Sequence, residues 1–335
     1  MRLTESFIET NMKNPNGTLA TYLKESDQLD QDEVKGKEAI SESVGIWLQY
    51  HLKKKDREGF EEAYETFVNY FINEEGLIYW KLNPKGEPIV TTNALVDDLR
   101  IIEVLYEAAS LWNEERYKTS ATTFSDYLVK HNHIESVLSD FYDDRTKEIS
   151  TTLTLSYIDP SALEVMRANS ELGSQIYTEM LTILQKTPTD NSFYAKAYHI
   201  NEQKYVFDEQ VNMIDQALVA WQLAEIGVST DSFYQFIESE YSERGFIYGR
   251  YDRNSQLPVV EYESPSLYGF IILYCLEVGD KEFAKRIYER MIEFRNEEEE
   301  SKYCGGYSIK ANQDTHIFDN LIPLLAEERL LSETE

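Results

Sequence analysis

Seven side chains of this sequence could do chemistry together: Glu42, Asp97, Asp98, Tyr157, Asp159, Asp215 and Asp319. Each stands at or just before the start of a mostly apolar run. An acid in the first turn of a helix is often only a dipole partner or a cap, and any one of these could be that. Several acids converging on one cleft could do more. Two separated carboxyls, one protonated and one ionised, are what the hydrolysis of a glycosidic bond requires: the first donates to the leaving oxygen and the second activates water. Trp47, five residues after Glu42, together with Trp80 and Tyr268, could wall a sugar-binding cleft. With 24 Tyr, 15 Phe and 4 Trp in the chain, most rings must be core, and the apolar run around Trp47 favours that reading for it.

The elements that must position these residues form a weak repeat. In the stretch Ile40–Tyr50, Ser41 reads as an N-cap, and Val44, Ile46, Trp47, Leu48 and Tyr50 make the following helix apolar on most sides, as a buried helix is. Similar units begin near Asn16, Gly76, Asp140, Ser192, Gly245 and Gly306, spaced by about 50–65 residues. Each has a turn, an apolar helix and then room for a one-sided helix. Phe60, Ala63, Tyr64, Phe67, Val68 and Phe71 form one such stripe; Leu172, Ile176, Met180, Ile183 and Leu184 form another; Phe283, Ile287, Tyr288, Met291 and Phe294 form a third. Apolar helices inside and one-sided helices outside predict an all-α double toroid of six inner and six outer helices. Neither end of the chain has the polar cap of an open solenoid, so the ring should close, and residues 1–335 should form a single domain. Asp159-Pro160 and Ser264-Pro265 fit capping residues with proline at the first helical position, which places the convergent acids at one end of the ring.

Composition narrows the partners. The net charge of −29 argues against nucleic acid and anionic membrane surfaces, which favour Lys and Arg. Cys275 and Cys304 make no disulfide framework, no CxxC or HExxH occurs, and the five histidines are scattered, so no metal site is expected. No apolar stretch approaches the length of a membrane span, and the N-terminus has no signal-peptide h-region.

The motifs, taken in order, resemble glycoside hydrolase family 8. Ser41-Glu42-Ser43-Val44-Gly45 is similar to that family's Ser-Glu-Gly-x-Gly; Gly76-Leu77-Ile78-Tyr79-Trp80-Lys81 to its Gly-Leu-x-x-Trp-Lys/Arg; Asp98-Leu99-Arg100-Ile101 to its Asp-Leu-Asp-Ile; Leu155-Ser156-Tyr157 to its Pro-Ser-Tyr; and Asp215-Gln216-Ala217-Leu218 to its Asp-Ala-x-Arg. The resemblance covers roughly residues 16–225, and the last third fits by repeat only. It implies an (α/α)6 barrel with short β-hairpins at the active-site end. It also implies Glu42 as general acid, Asp215 as general base, Asp98 holding the sugar and Tyr157 near the catalytic water. Trp80, Trp47, Asp97, Tyr268 and Asp319 are the candidate substrate-binding positions. Ser43, Arg100 and Leu218 depart from the family pattern, with Leu218 standing where arginine is common.

The expected function is inverting endo-cleavage of a polysaccharide: a β-1,4-linked glucan, chitosan or a bacterial exopolysaccharide. No cofactor and no metal is expected, the chain should act as a monomer, and the resemblance favours an extracellular or cell-surface location. The alternative is a catalytically impaired glycan-binding protein on the same fold. A polyuronate lyase fits less well, because it would want basic residues in the cleft.

Overall fold

The computed structural model describes residues 2–26, 33–170, 172–309 and 311–333. Among the described residues there are twelve α-helices. The first six are α1 (Leu3–Asn11), α2 (Ser41–Lys53), α3 (Arg57–Tyr70), α4 (Leu95–Trp112), α5 (Glu115–His131) and α6 (Pro160–Asn169). The second six are α7 (Ser174–Gln185), α8 (Met213–Glu225), α9 (Asp231–Arg244), α10 (Pro265–Glu277), α11 (Lys281–Met291) and α12 (Phe318–Ser332).

Their composition sorts them into two rings. Every residue of α10 from Pro265 to Leu276 is buried, which an all-round apolar helix requires. In α11, which follows it, Phe283, Ala284, Ile287 and Met291 are buried and the charged face is wet. The even-numbered helices form the inner ring. α2 packs on α4, α4 on α6, α8 on α10, α10 on α12 and α12 back on α2. Between α6 and α8 the contact runs through the 3₁₀ turn Leu155–Tyr157. Close approach has a local cause at Gly269 of α10, where a Cβ would meet the Ile322 side chain at 2.7 Å.

The ring closes in a way the repeat did not announce. Among the described residues no helix follows α12, the inner helix of the sixth unit. α1, from the other end of the chain, packs on α12 and supplies the outer helix there. Arg2 pairs with Glu328 at 2.6 Å across this junction, and Phe7 and Ile8 are buried beneath it.

Short antiparallel strands gather where the inner helices begin. Ala39–Ile40 pairs with Lys81–Leu82 immediately before α2. Thr152–Thr154, Ala197–His199 and Lys204–Val206 form a three-stranded sheet just before the Leu155–Tyr157 turn. Gln210–Asn212 pairs with Arg250–Asp252 and runs directly into α8. Five helices have side-chain caps: Asp56, Asp159, Asn212, Ser264 and Asp280 each accept from a backbone N–H of the first turn. Ser41 is not among them, contrary to expectation. Ile40 occupies the cap position, and the Ser41 hydroxyl, already inside the helix, donates to Asp97 Oδ2 at 2.7 Å.

Candidate active site

Glu42 is held by a strand and a helix together. The Ser41 backbone N–H donates to the Trp80 carbonyl at 3.0 Å, so the hairpin carrying Trp80 fixes the first turn of α2. Gly45, one turn later, brings α2 close to α4, where an added Cβ would meet Ile101 at 3.1 Å and the Arg100 side chain at 3.4 Å. Glu42 therefore faces Asp97 and Arg100. Burial pushes its carboxyl up to about 8, the Asp97 charge adds to this, and the Arg100 guanidinium opposes it. Glu42 thus keeps its proton at neutral pH, the state a general acid needs. Asp97 is also raised by burial, against the ion pair from Arg100 (3.0 Å) and the Ser41 hydroxyl.

Asp98 sits elsewhere. It is buried, it accepts from the Asn93 side chain at 2.6 Å, and its other oxygen finds no hydrogen-bond partner among the described residues. Adjacent residues on a helix point about 100° apart, so only one of the two aspartates can face Glu42. That one is Asp97, which corrects the placement of Asp98 expected from the motif.

Asp215 lies in the first turn of α8, half-buried. The Gln216 side chain beside it accepts from the Tyr194 N–H at 2.7 Å and donates to the Tyr194 carbonyl at 3.1 Å, which locks this turn. Asp215 accepts from the Ser156 hydroxyl at 2.8 Å and forms an ion pair with Lys196. Leu218 is half-buried and packs against the core, lining a small cavity of about 60 Å³ along the barrel axis with Arg100 and Asp159. Asp159 itself caps α6 through the Ala162 N–H.

Tyr157 feels the charge of both carboxyls. Its hydroxyl is held well above the usual phenol range by burial first, and then by the charges of Asp140, Asp97, Asp215 and Glu42. It also lines a cleft of about 640 Å³ with Trp80, Ile89, Asp140, Phe141 and Arg145. A further hollow of about 430 Å³ at the start of α10 and α12 contains Tyr262, Ser264 and Asp319. There Asp319 accepts from Ser266 at 2.6 Å and from Ser264 at 3.2 Å.

Two of the candidate cleft residues are core: Trp47, as its apolar run favoured, and Tyr268. Trp47 is 3% exposed and packs on Tyr50 and His51, with Ala63 and Phe71 nearby on the outer-helix side. It lies five residues beyond Glu42, which is more than one helical turn. Tyr268 is fully buried, with its hydroxyl donating to Glu263 and accepting from the Ile247 N–H. The aromatic and apolar edges of the cleft are Trp80, Ile89 and Phe141. Neither Ile89 nor Phe141 belongs to a motif that would have singled it out, and no spacing links Lys196 to Asp215.

One group among the described residues has a ligand set that could suit a metal: Glu5, His51 and Asp56, with donor atoms within 4.8 Å. Its carboxylates already bind the Lys54 ammonium, at 2.6 and 3.2 Å. No described helix is long and apolar enough to cross a membrane.

Comparison with known proteins places the family and the fold. The model of glycosyl hydrolases family 8 matches residues 20–141. The Bacillus subtilis (strain 168) protein YdaJ is 33% identical over 330 residues, covering 98% of this chain and 87% of its own. Among solved structures, a novel alpha-amylase from Clostridium perfringens superposes with a TM-score of 0.88 at 25% identity, over 98% of this chain and 96% of that one. A Klebsiella pneumoniae endoglucanase of family 8 shares the fold, with a TM-score of 0.68 at 14% identity over 97% and 98% of the two chains. The fold is the (α/α)6 barrel, the chain is a glycosidase, and it belongs to glycosyl hydrolase family 8.

Proposed function

We propose that this glycosidase cleaves a polysaccharide internally with inversion at the anomeric carbon, acting as a monomeric single domain. The observation that carries the reading is the unlike setting of two carboxyls near one tyrosine. Glu42 is pushed up to about 8 by burial and Asp97, while Asp215 is paired with an ammonium. Glu42 donates its proton to the leaving oxygen as the glycosidic bond breaks. Asp215 takes a proton from the water that attacks the opposite face of the sugar. Such enzymes keep the two carboxyls about 6.5–9.5 Å apart to admit that water. Tyr157 sits near the water, Asp97 faces the sugar at the cleavage point, and Trp80, with Phe141 and Ile89, provides an apolar wall for sugar faces. Asp319 lies in the separate hollow at the start of α10 and α12.

The substrate we favour is a neutral or amino-sugar polymer with β linkages, such as a β-1,4-glucan, chitosan or a bacterial exopolysaccharide. The net charge of −29 disfavours polyanions. The likeness to the Clostridium perfringens alpha-amylase supports a second reading, an α-linked glucan. Reducing-sugar release across a panel of both linkage types, with the anomer of the first product followed by proton NMR, tests both parts. Inversion gives an α product from a β linkage and a β product from an α linkage. Retention of configuration would overturn the mechanism. Binding without cleavage of any polymer would leave a glycan-binding protein.

A further inference from the structure

The family-like segment that carries Asp215 has Leu218 where an arginine is common, so the cation expected one helical turn from the carboxylate is missing from α8. The structure supplies a cation from another element. Lys196 lies at the start of the strand Ala197–His199, and its ammonium pairs with Asp215 Oδ2 while Ser156 donates to Oδ1. The two donors adjoin neighbouring strands joined by hydrogen bonds. The Leu155 N–H donates to the Lys196 carbonyl at 3.0 Å, and the Lys196 N–H donates to the Val206 carbonyl at 2.8 Å. The three-stranded sheet thus holds Ser156 and Lys196 at a fixed separation and presents both to one carboxylate. Each carboxylate oxygen has a second lone pair, so accepting from these two donors leaves Asp215 able to accept from water.

Resting on the assignment of Asp215 as general base, we infer that Lys196 is its positioning residue, holding the carboxylate oriented in place of the arginine that Leu218 has displaced. The charged and titratable groups that share this region are Asp140, Tyr157, Asp215 and, beyond Tyr157, Asp97 and Glu42. Asp140 also feels the Lys196 charge, but it is already held by the Thr154 N–H and hydroxyl, at 2.6 and 2.8 Å. Asp215 is the group to which Lys196 is bonded. Removing the lysine takes away one of the two donors that fix the carboxylate's direction, so the base should lose its orientation toward the attacking water.

The test compares Lys196→Met, Lys196→Arg, the double variant Lys196→Met/Leu218→Arg, and Asp215→Asn on whichever polymer the parent cleaves. Lys196→Met should lower kcat by about tenfold or more while KM stays near the parental value. The thermal midpoint should stay near the parental value, because the lysine is partly exposed. Lys196→Arg should restore most of the rate. The double variant should recover part of it, since position 218 lies three residues from Asp215 on the same helix face. If Lys196→Met raises KM alone, with kcat unchanged, Lys196 binds substrate and the inference fails. If it changes neither constant, the inference also fails. Asp215→Asn separates the two levels of argument: if that variant remains active, the assignment of the base itself is wrong, whereas an inactive Asp215→Asn beside an unaffected Lys196→Met rejects only the positioning role.

Discussion

The surroundings of Glu42 and Asp215 make opposite use of the same kind of side chain. Both begin inner helices, and both lie close to Tyr157. Glu42 is buried and feels the charge of another carboxyl, Asp97, while the local cation, Arg100, is bonded to Asp97 and acts on Glu42 only through space. Around Asp215 the cation is bonded to the carboxylate itself. Identity as Asp or Glu does not distinguish the two settings, and neither does position on the helix, since both residues lie in first turns. Their surroundings distinguish them, and the proposed donor and acceptor roles rest on that difference.

The largest test of this contrast is removal of each carboxyl. Glu42→Gln and Asp215→Asn should each lower kcat by about 10²–10⁴-fold, measured as reducing-sugar release, with glycan binding retained. Their stabilities should differ in how they depend on pH. In the folded chain Glu42 keeps its proton up to about 8, against 4.5 as its ordinary value. Between those values the folded state holds a proton that the unfolded chain has lost, so this group's contribution to stability falls as pH rises. Glu42→Gln should therefore gain thermal stability over the parent, and the gain should grow from about pH 4.5 to pH 8. A gain that is flat with pH would break the comparison.

A second test uses the two tryptophans. Trp47→Ala should cost about 3–5 kcal/mol in denaturant unfolding, because it opens a cavity in the core, while KM stays near parental. Trp80→Ala should cost much less stability and raise KM by about threefold to tenfold. The reverse pattern would put Trp47 in the cleft after all.

The third test adjusts the charges beside Glu42. Asp97→Asn removes the charge that raises Glu42, so the alkaline limb of the kcat/KM profile should move to lower pH. Arg100→Met removes the charge that lowers Glu42 and frees Asp97, so that limb should move to higher pH. Each shift should be about one pH unit, and equal shifts of the same sign would show that Asp97 and Arg100 do not set the Glu42 proton. The smallest expected effect is at Ser43, which is 1% exposed and whose hydroxyl finds no hydrogen-bond partner among the described residues. Ser43→Ala should raise stability by about 1 kcal/mol and leave the alkaline limb in place.

The sequence by itself determined the rings. An apolar run such as Leu267–Leu276 can only be buried, and a stripe such as Phe60, Ala63, Tyr64 and Phe67 can only face inward from an outer layer, because helical periodicity ties side-chain direction to position in the chain. It also determined that Glu42, Asp97, Asp215 and Asp319 begin inner helices, since each precedes or opens such a run. What the tertiary structure decided lay beyond helical spacing. It chose Asp97 over Asp98, because which of two neighbours faces Glu42 depends on how α4 is rotated against α2. It put Tyr268 into the core, where its hydroxyl meets Glu263 and the Ile247 N–H. It completed the outer ring with α1, and it brought Lys196 to Asp215 from a separate sheet. Those contacts join residues far apart in the chain, and periodicity within one element carries no information about which distant element will supply a partner.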